Sequence, residues 1–293
     1  MDKILSTYNY GICLFSLEVL QDFLKREKVR SKKLLDKFQK DKELYLATQK
    51  EGIWLPIAGI NSGEYIIKLD GYDEPFDDNW EQLLEYGGFN LEIRDSLCIS
   101  DTGMFHNFNT DDFGAYEKAK QSMDGKTYFQ QFKYDVPSGK YHITVKGYAH
   151  KQATRKNRLY GFVFSLVKVE AFEGYLNPRE DELYEFNVGW LAESKEAVVH
   201  WLTEEEGGRK QPPERKYNAA IQSGNGEICY LYLEFDGTDL MKNCSADQCR
   251  VDNYLHYKQQ DGLIYSGAEY TLYEETRKSG KSVLNAVGRI EFL

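Results

Sequence analysis

The sequence predicts a mainly β protein: an N-terminal helical segment, a β-sandwich, and then a small antiparallel β-barrel. Three observations predict it. Apolar residues recur at helical spacing only before Gly52. From Gly52 onward, short apolar or alternating runs are separated by Gly, Asn, Asp and Pro. The chain of 293 residues is long enough for two domains with separate cores. The expected divisions are 1–51 for an N-terminal strand and helical segment, 52–188 for the sandwich and 189–293 for the barrel.

The helical reading rests on Leu17, Leu20 and Leu24, with Val19 and Phe23 beside them and Leu34, Leu35 and Phe38 after a polar break. No proline precedes Pro56, so residues 17–48 read as one long helix or two shorter ones. Nine basic residues against three acidic ones fall between Lys25 and Lys42. That run is either a solvated helix face or a surface that docks on acidic segments of this chain or of a partner. Strands are expected at Tyr65–Leu69, Phe89–Ile93, Leu97–Ser100, Tyr128–Tyr134, Tyr141–Val145 and Tyr160–Val169. Tyr128–Tyr134 and Tyr141–Val145 read as a hairpin, with Pro137-Ser138-Gly139-Lys140 as its turn. Leu176–Glu182 reads as an interdomain connector. The barrel strands are expected at Ala197–Leu202, Ile228–Phe235, Arg250–Tyr257, Tyr270–Tyr273 and Arg289–Leu293.

Composition narrows the function. Hydrophobic residues make up 41% of the chain and Tyr and Phe are abundant, so it has the material for a folded core. A net charge of −10 disfavours general nucleic-acid binding, which needs a cationic surface. It fits a soluble protein, or one that meets a basic partner. Ser6 to Tyr10 interrupt the apolar start, so no secretory signal is expected, and no run approaches the roughly 18 apolar residues of a membrane span. The five cysteines lack C-x2-C pairing, so they read as reduced thiols of a cytoplasmic protein with no metal and no cofactor.

Glu206-Gly207-Gly208-Arg209, followed by Pro212 and Tyr217, resembles in order and spacing the segment that opens the third domain of elongation factor Tu. Gly267, Tyr270-Thr271-Leu272-Tyr273-Glu274, Arg277 and Gly280 continue the resemblance over the last hundred or so residues. It implies a β-barrel and carries no catalytic chemistry. Gly207, Gly208, Arg209, Pro212 and Tyr217 are its structural motif, the adjacent glycines permitting a sharp turn and close approach of strands. The family's Tyr belongs to a Gly-Tyr-Arg-Pro sequence on the surface used with transfer RNA; here the place reads Lys216-Tyr217-Asn218-Ala219, and Glu275 replaces a glycine. Ser279-Gly280-Lys281-Ser282 mimics the tail of a phosphate loop, but the glycine required five residues before Gly280 is Glu275.

The histidines show no metal or nucleophile spacing, and each reads as a structural residue. The carboxylates say more. Asp70, Asp73, Glu74, Asp77, Asp78, Glu81 and Glu85 accumulate with Tyr72, Phe76, Trp80 and Tyr86, and no Lys or Arg lies between Lys68 and Arg94. A solvated acidic loop, a carboxylate pair for glycoside hydrolysis and a calcium loop are alternatives, although the calcium-loop register is missing. The functional reading preferred is a recognition surface made by Asp73, Glu74, Asp77, Asp78, Trp80, Glu81 and Glu85, with acids steering a cationic partner and Trp80 anchoring it. Gly63-Glu64-Tyr65-Ile66-Ile67, Trp80 and the Phe132–Val145 segment also resemble β-sandwich inhibitors of the competence-protein-J type and bacterial toxin-immunity proteins. That resemblance implies a bacterial protein without enzymatic activity that occludes a basic toxin or nuclease. Two other functions are kept in view: a translation-associated or RNA-binding role for the barrel, and a carbohydrate-binding or carbohydrate-active role for the acidic and aromatic loops.

Overall fold

The computed structural model describes residues 2–9, 11–121, 127–153, 159–180, 183–193, 195–203, 205–206, 216–222, 228–235, 246–252, 269–278 and 281–293. The class is mainly β, as expected. The chain divides into two compact units, Met1–Ala192 and Glu193–Leu293.

The first unit runs β1 (Lys3–Thr7), β2 (Gly11–Phe15), α1 (Leu17–Arg26), α2 (Leu34–Lys40), α3 (Lys42–Glu51), β3 (Trp54–Ala58), β4 (Gly63–Leu69), β5 (Trp80–Ile93) and β6 (Ser96–Asp101). Two 3-10 turns, Thr102–Asn107 and Thr110–Phe113, precede β7 (Glu117–Gln121), β8 (Thr127–Asp135), β9 (Gly139–His150), β10 (Tyr160–Val169) and α4 (Val188–Glu193). Among the described residues ten strands form one sheet, in the order β3-β2-β6-β8-β1-β4-β10-β9-β5 with β7 on β8. The layers expected of a sandwich are thus portions of one continuous, bent sheet. Its two ends meet at the α3–β3 junction, where the Glu92 N–H donates to the Gly52 carbonyl at 2.7 Å. Gly52 ends α3 in the left-handed conformation (φ 68°). A Cβ there would stand 2.9 Å from the Leu91 and Glu92 backbone, so the junction requires glycine.

The inner face encloses one core, including Leu5, Leu14, Ile67, Leu91, Ile99, Phe132, Ile143 and Phe164. Residues 1–51 therefore do not stand apart: β1 pairs with β4 and β8, and β2 pairs with β3 and β6. A second core lies outside the sheet, where Cys13, Phe15, Trp54 and Cys98 meet Val19, Leu20, Phe23, Leu34 and Phe38 of the helices. With both faces covered, every residue of β2 is buried and the run shows no alternation. The helical stretch makes three helices. Lys28 breaks it with a positive φ of 54°, and Asp41 caps α3 through its side chain, which accepts the Leu44 N–H at 3.1 Å.

The expected hairpin does not form. β8 pairs with β6, β7 and β1, whereas β9 is held by β5 on one edge and β10 on the other. Residues 136–138 carry the chain between distant parts of the sheet. The described part of the expected connector, residues 176–180, is also packed. Pro178 is buried, the Tyr45 hydroxyl donates to Asn177 Oδ1 at 2.7 Å, and the Arg179 guanidinium lies 4.4 Å from the Tyr45 ring centroid and 5.2 Å from that of Trp54.

The second unit is a closed antiparallel barrel in the order β11-β14-β13-β12-β15-β16. Its strands are β11 (Lys195–Trp201), β12 (Lys216–Gln222), β13 (Ile228–Phe235), β14 (Ala246–Asp252), β15 (Glu269–Lys278) and β16 (Lys281–Phe292). Val199, Leu231, Leu233, Leu272, Ile290 and Phe292 are among its core residues. Lys281 and Ser282 open β16 opposite Lys278 and Arg277, in a strand-to-strand hairpin unlike the strand-to-helix turn of a phosphate loop. No helix among the described residues is long and apolar enough to cross a membrane.

Candidate functional site

The acidic stretch is only partly a loop. Residues 70–79 connect β4 to β5, but Trp80, Glu81 and Glu85 already belong to β5, paired with His150, Ala149 and Lys146 of β9. The register of that pair shifts between Gln82 and Leu84 and again between Tyr86 and Phe89. Those bulges break the period of two that would have marked a strand.

Asp73 ties the connector to the fold. Its Oδ1 lies 2.5 Å from Lys3 Nζ, and its Oδ2 accepts from the Leu69 N–H (2.8 Å) and the Tyr134 hydroxyl (2.7 Å). Burial alone would raise this carboxyl, but Lys3, Leu69 and Tyr134 outweigh it and hold it below the ordinary carboxylate range. Asp73, expected from the sequence on the recognition surface, is thus engaged within the fold. Glu74 is exposed while its carbonyl accepts from Lys68 Nζ at 2.7 Å. Asp77 is exposed and shapes a turn, accepting the Asn79 N–H on its side chain and the Trp80 N–H on its carbonyl. Asp78, Glu81 and Glu85 are exposed.

Trp80 stacks on Phe76 with ring centroids 4.3 Å apart and meets His150 edge-on at 5.3 Å; Phe76 in turn lies 5.0 Å from Tyr148. Space for Phe76 comes from Gly161 on β10, where a Cβ would fall 2.4 Å from the Phe76 ring. Three separate elements therefore build one half-buried aromatic patch on the outer face of the sheet. Around it the Tyr148 hydroxyl donates to Gln82 Oε1, Gln82 Nε2 donates to Glu85, and Lys146 approaches Glu85 at 3.9 Å. The Tyr148 phenol is raised, first by burial and then by the negative field of Glu85 and Asp70. Phe76 had been legible as an interleaved aromatic, but Tyr148 and His150 had not. They lie on β9, and only sheet register brings them to Trp80.

The remaining expected residues lie elsewhere. Gly207, Gly208, Arg209 and Pro212 are outside the described residues. Tyr217 is on β12, half-buried, its ring 5.7 Å from Trp201 and packed on the barrel core. Cys13 and Cys98 are buried thiols whose pKa values burial drives upward, that of Cys98 to about 12, which makes them poor nucleophiles. Among the described residues no group of three or more His, Cys, Asp or Glu side chains gathers as metal ligands.

No family model, curated protein or solved structure matches this chain.

Proposed function

We propose that this is a non-enzymatic protein-binding protein that covers a basic partner, a toxin or nuclease in the manner of an immunity protein. One observation carries the reading. The Phe76–Trp80–Tyr148 stack sits on an outer sheet face with the exposed carboxylates of Asp77, Asp78 and Glu85 near it in sequence and register, whereas Glu81, opposite the inward-facing Ala149, lies on the other side of β5. Rigid aromatics supply contact area at small entropic cost, while surrounding charge steers encounter and rejects acidic partners. Asp73 acts behind this surface by holding the connector, not by touching the partner. The resemblance of the barrel to the third domain of elongation factor Tu supports a scaffold role for the second unit, since the Arg and Pro that follow the family's Tyr are replaced by Asn218 and Ala219.

The test is affinity capture from the native organism on the full chain, beside a Trp80→Ala, Asp78→Asn, Glu85→Gln triple variant. The expected result is a basic protein of toxin or nuclease activity, retained at low salt by the wild type alone and inhibited by it. Recovery of the same proteins on both baits would reject the reading.

A further inference from the structure

The turn between α1 and α2 is independent of the acidic face. Six cations and one acid stand in the nine residues from Lys25 to Lys33, in a chain whose net charge is −10. Arg26 is neutralised, by Glu27 at 2.9 Å and Glu51 at 2.7 Å. Lys25, Lys28, Arg30, Lys32 and Lys33 are exposed and meet no carboxylate among the described residues. Three neighbouring acids, Asp22, Asp36 and Asp41, face Arg94, His106 and Lys37 instead.

Other cations of the first unit are tied to acids: Lys3 to Asp73, Lys68 to Asp2, Lys118 to Asp112 and Lys146 to Glu85. The turn thus keeps its charge where much of the fold cancels it. Its path is also fixed. The Val29 N–H donates to the Leu24 carbonyl at 2.8 Å, and the Phe108 N–H donates to the Lys32 carbonyl at 2.7 Å. Val29 packs on the core beneath the helices, while Lys28 and Arg30 on either side of it are exposed. The basic run does not dock as a whole on acidic segments of its own chain, so five of its charges stay available to a partner.

The composition of the turn selects among anionic partners. Val29 is its one apolar residue, and it is half-buried. Stable protein interfaces draw most of their affinity from buried aromatic and apolar anchors, which this surface lacks. Single-stranded nucleic acid is held by aromatic platforms on which its bases stack, and these are lacking too. Duplex RNA is recognised partly through 2′-hydroxyls across a minor groove, over a longer surface than one turn supplies. What remains is a regular array of phosphates with the bases turned away. Short Lys/Arg-rich runs suit that array, since phosphate contacts need charge and carry no sequence information. The net charge of −10 opposes binding only where acids lie close, because exposed charges are screened over about 8 Å at physiological salt.

We infer that the α1–α2 turn binds the phosphate backbone of double-stranded DNA without sequence preference. Arg30 can grip one phosphate through two N–H groups, and Lys25, Lys28, Lys32 and Lys33 act as point charges on its neighbours. Five such contacts release five condensed counterions, so the logarithm of the binding constant should fall against the logarithm of salt with a slope of about −4 to −5.

Fluorescence anisotropy on the full chain tests this with a labelled DNA duplex of about 20 base pairs, titrated at several salt concentrations from roughly 50 to 200 mM. Duplex RNA, oligothymidylate and polyglutamate of similar length are the comparators. The DNA duplex should bind most tightly, and a duplex of scrambled sequence should bind equally well. An Arg30→Gln, Lys32→Gln, Lys33→Gln triple variant, whose substitutions are confined to exposed side chains, should lower the salt slope by about 3, and Lys25→Gln alone by about 1. Both variants are checked for unchanged melting. Trp80→Ala should leave the slope intact, which separates this surface from the protein-binding face. Absence of duplex binding at the lowest salt, an unchanged slope in the Lys25→Gln and triple variants, or tighter binding of any comparator than of duplex DNA overturns the inference.

Discussion

Asp73 and Gly161 show how single positions set up the acidic face. Asp73→Asn leaves Lys3 without its partner and weakens the bonds from Leu69 and Tyr134. The expected loss is about 2 kcal/mol at neutral pH, in the range of charge-assisted hydrogen bonds in a partly buried setting. The sign with pH follows from a folded-state pKa below that of the unfolded chain. The stabilisation is complete above the unfolded carboxyl value of about 4 and disappears as pH falls through the depressed folded value. Urea denaturation at pH 7 and near pH 3 should therefore show the gap between wild type and Asp73→Asn closing on acidification. Gly161→Ala acts by crowding. Its new methyl would lie 2.4 Å from Phe76 and 2.8 Å from the Ile66 carbonyl, and the backbone neighbour cannot simply rotate away. A destabilisation of about 1–3 kcal/mol is expected, with loss of near-ultraviolet circular dichroism from the displaced Phe76–Trp80 stack.

Elements that pack polar or irregular segments carry the weakest local signal. α1 declared itself, because Val19, Leu20, Phe23 and Leu24 form one buried stripe. β7 did not: its sequence Glu-Lys-Ala-Lys-Gln is mostly exposed and has no apolar face. The first half of β5 has the sequence of a loop, because exposed acids and a register shift hide its alternation. The segment around Asn177 and Arg179 has the Asn, Pro and acidic residues of a connector, yet it is strapped to α3 and β3. Arg179→Ala tests that strap. Removing a half-buried guanidinium from the faces of Tyr45 and Trp54 should cost about 1–2 kcal/mol in chemical denaturation. It should also speed proteolysis between Gly174 and Glu180, a change a surface arginine would not produce.

At the scale of the molecule, each unit has its own apolar core and its own closed set of strand pairings. A fragment of residues 1–192 is therefore expected to unfold cooperatively by itself, with a melting profile contained within that of the full chain. A non-cooperative melt would count against independent folding. The acidic balance acts at this scale as well. If the proposed face steers a basic partner, association should slow several-fold as ionic strength rises, since exposed charges are screened over about 8 Å at physiological salt. An association rate indifferent to salt would remove the electrostatic part of the proposal. Read by stopped-flow mixing, this measurement needs only the captured partner and this chain.

Local chemistry determined much. Helical spacing before Gly52, short strands after it, the mainly β class and the acidic-aromatic stretch follow from side-chain period and composition, which each segment carries by itself. Tertiary structure alone decided that β8 and β9 do not pair, that Asp73 faces Lys3 and Tyr134, and that Trp80 meets His150 while Asn90 meets His142. Those are meetings of residues far apart in the chain. They depend on which strand edges remain open once the sheet has bent around its core, and no local pattern encodes that choice.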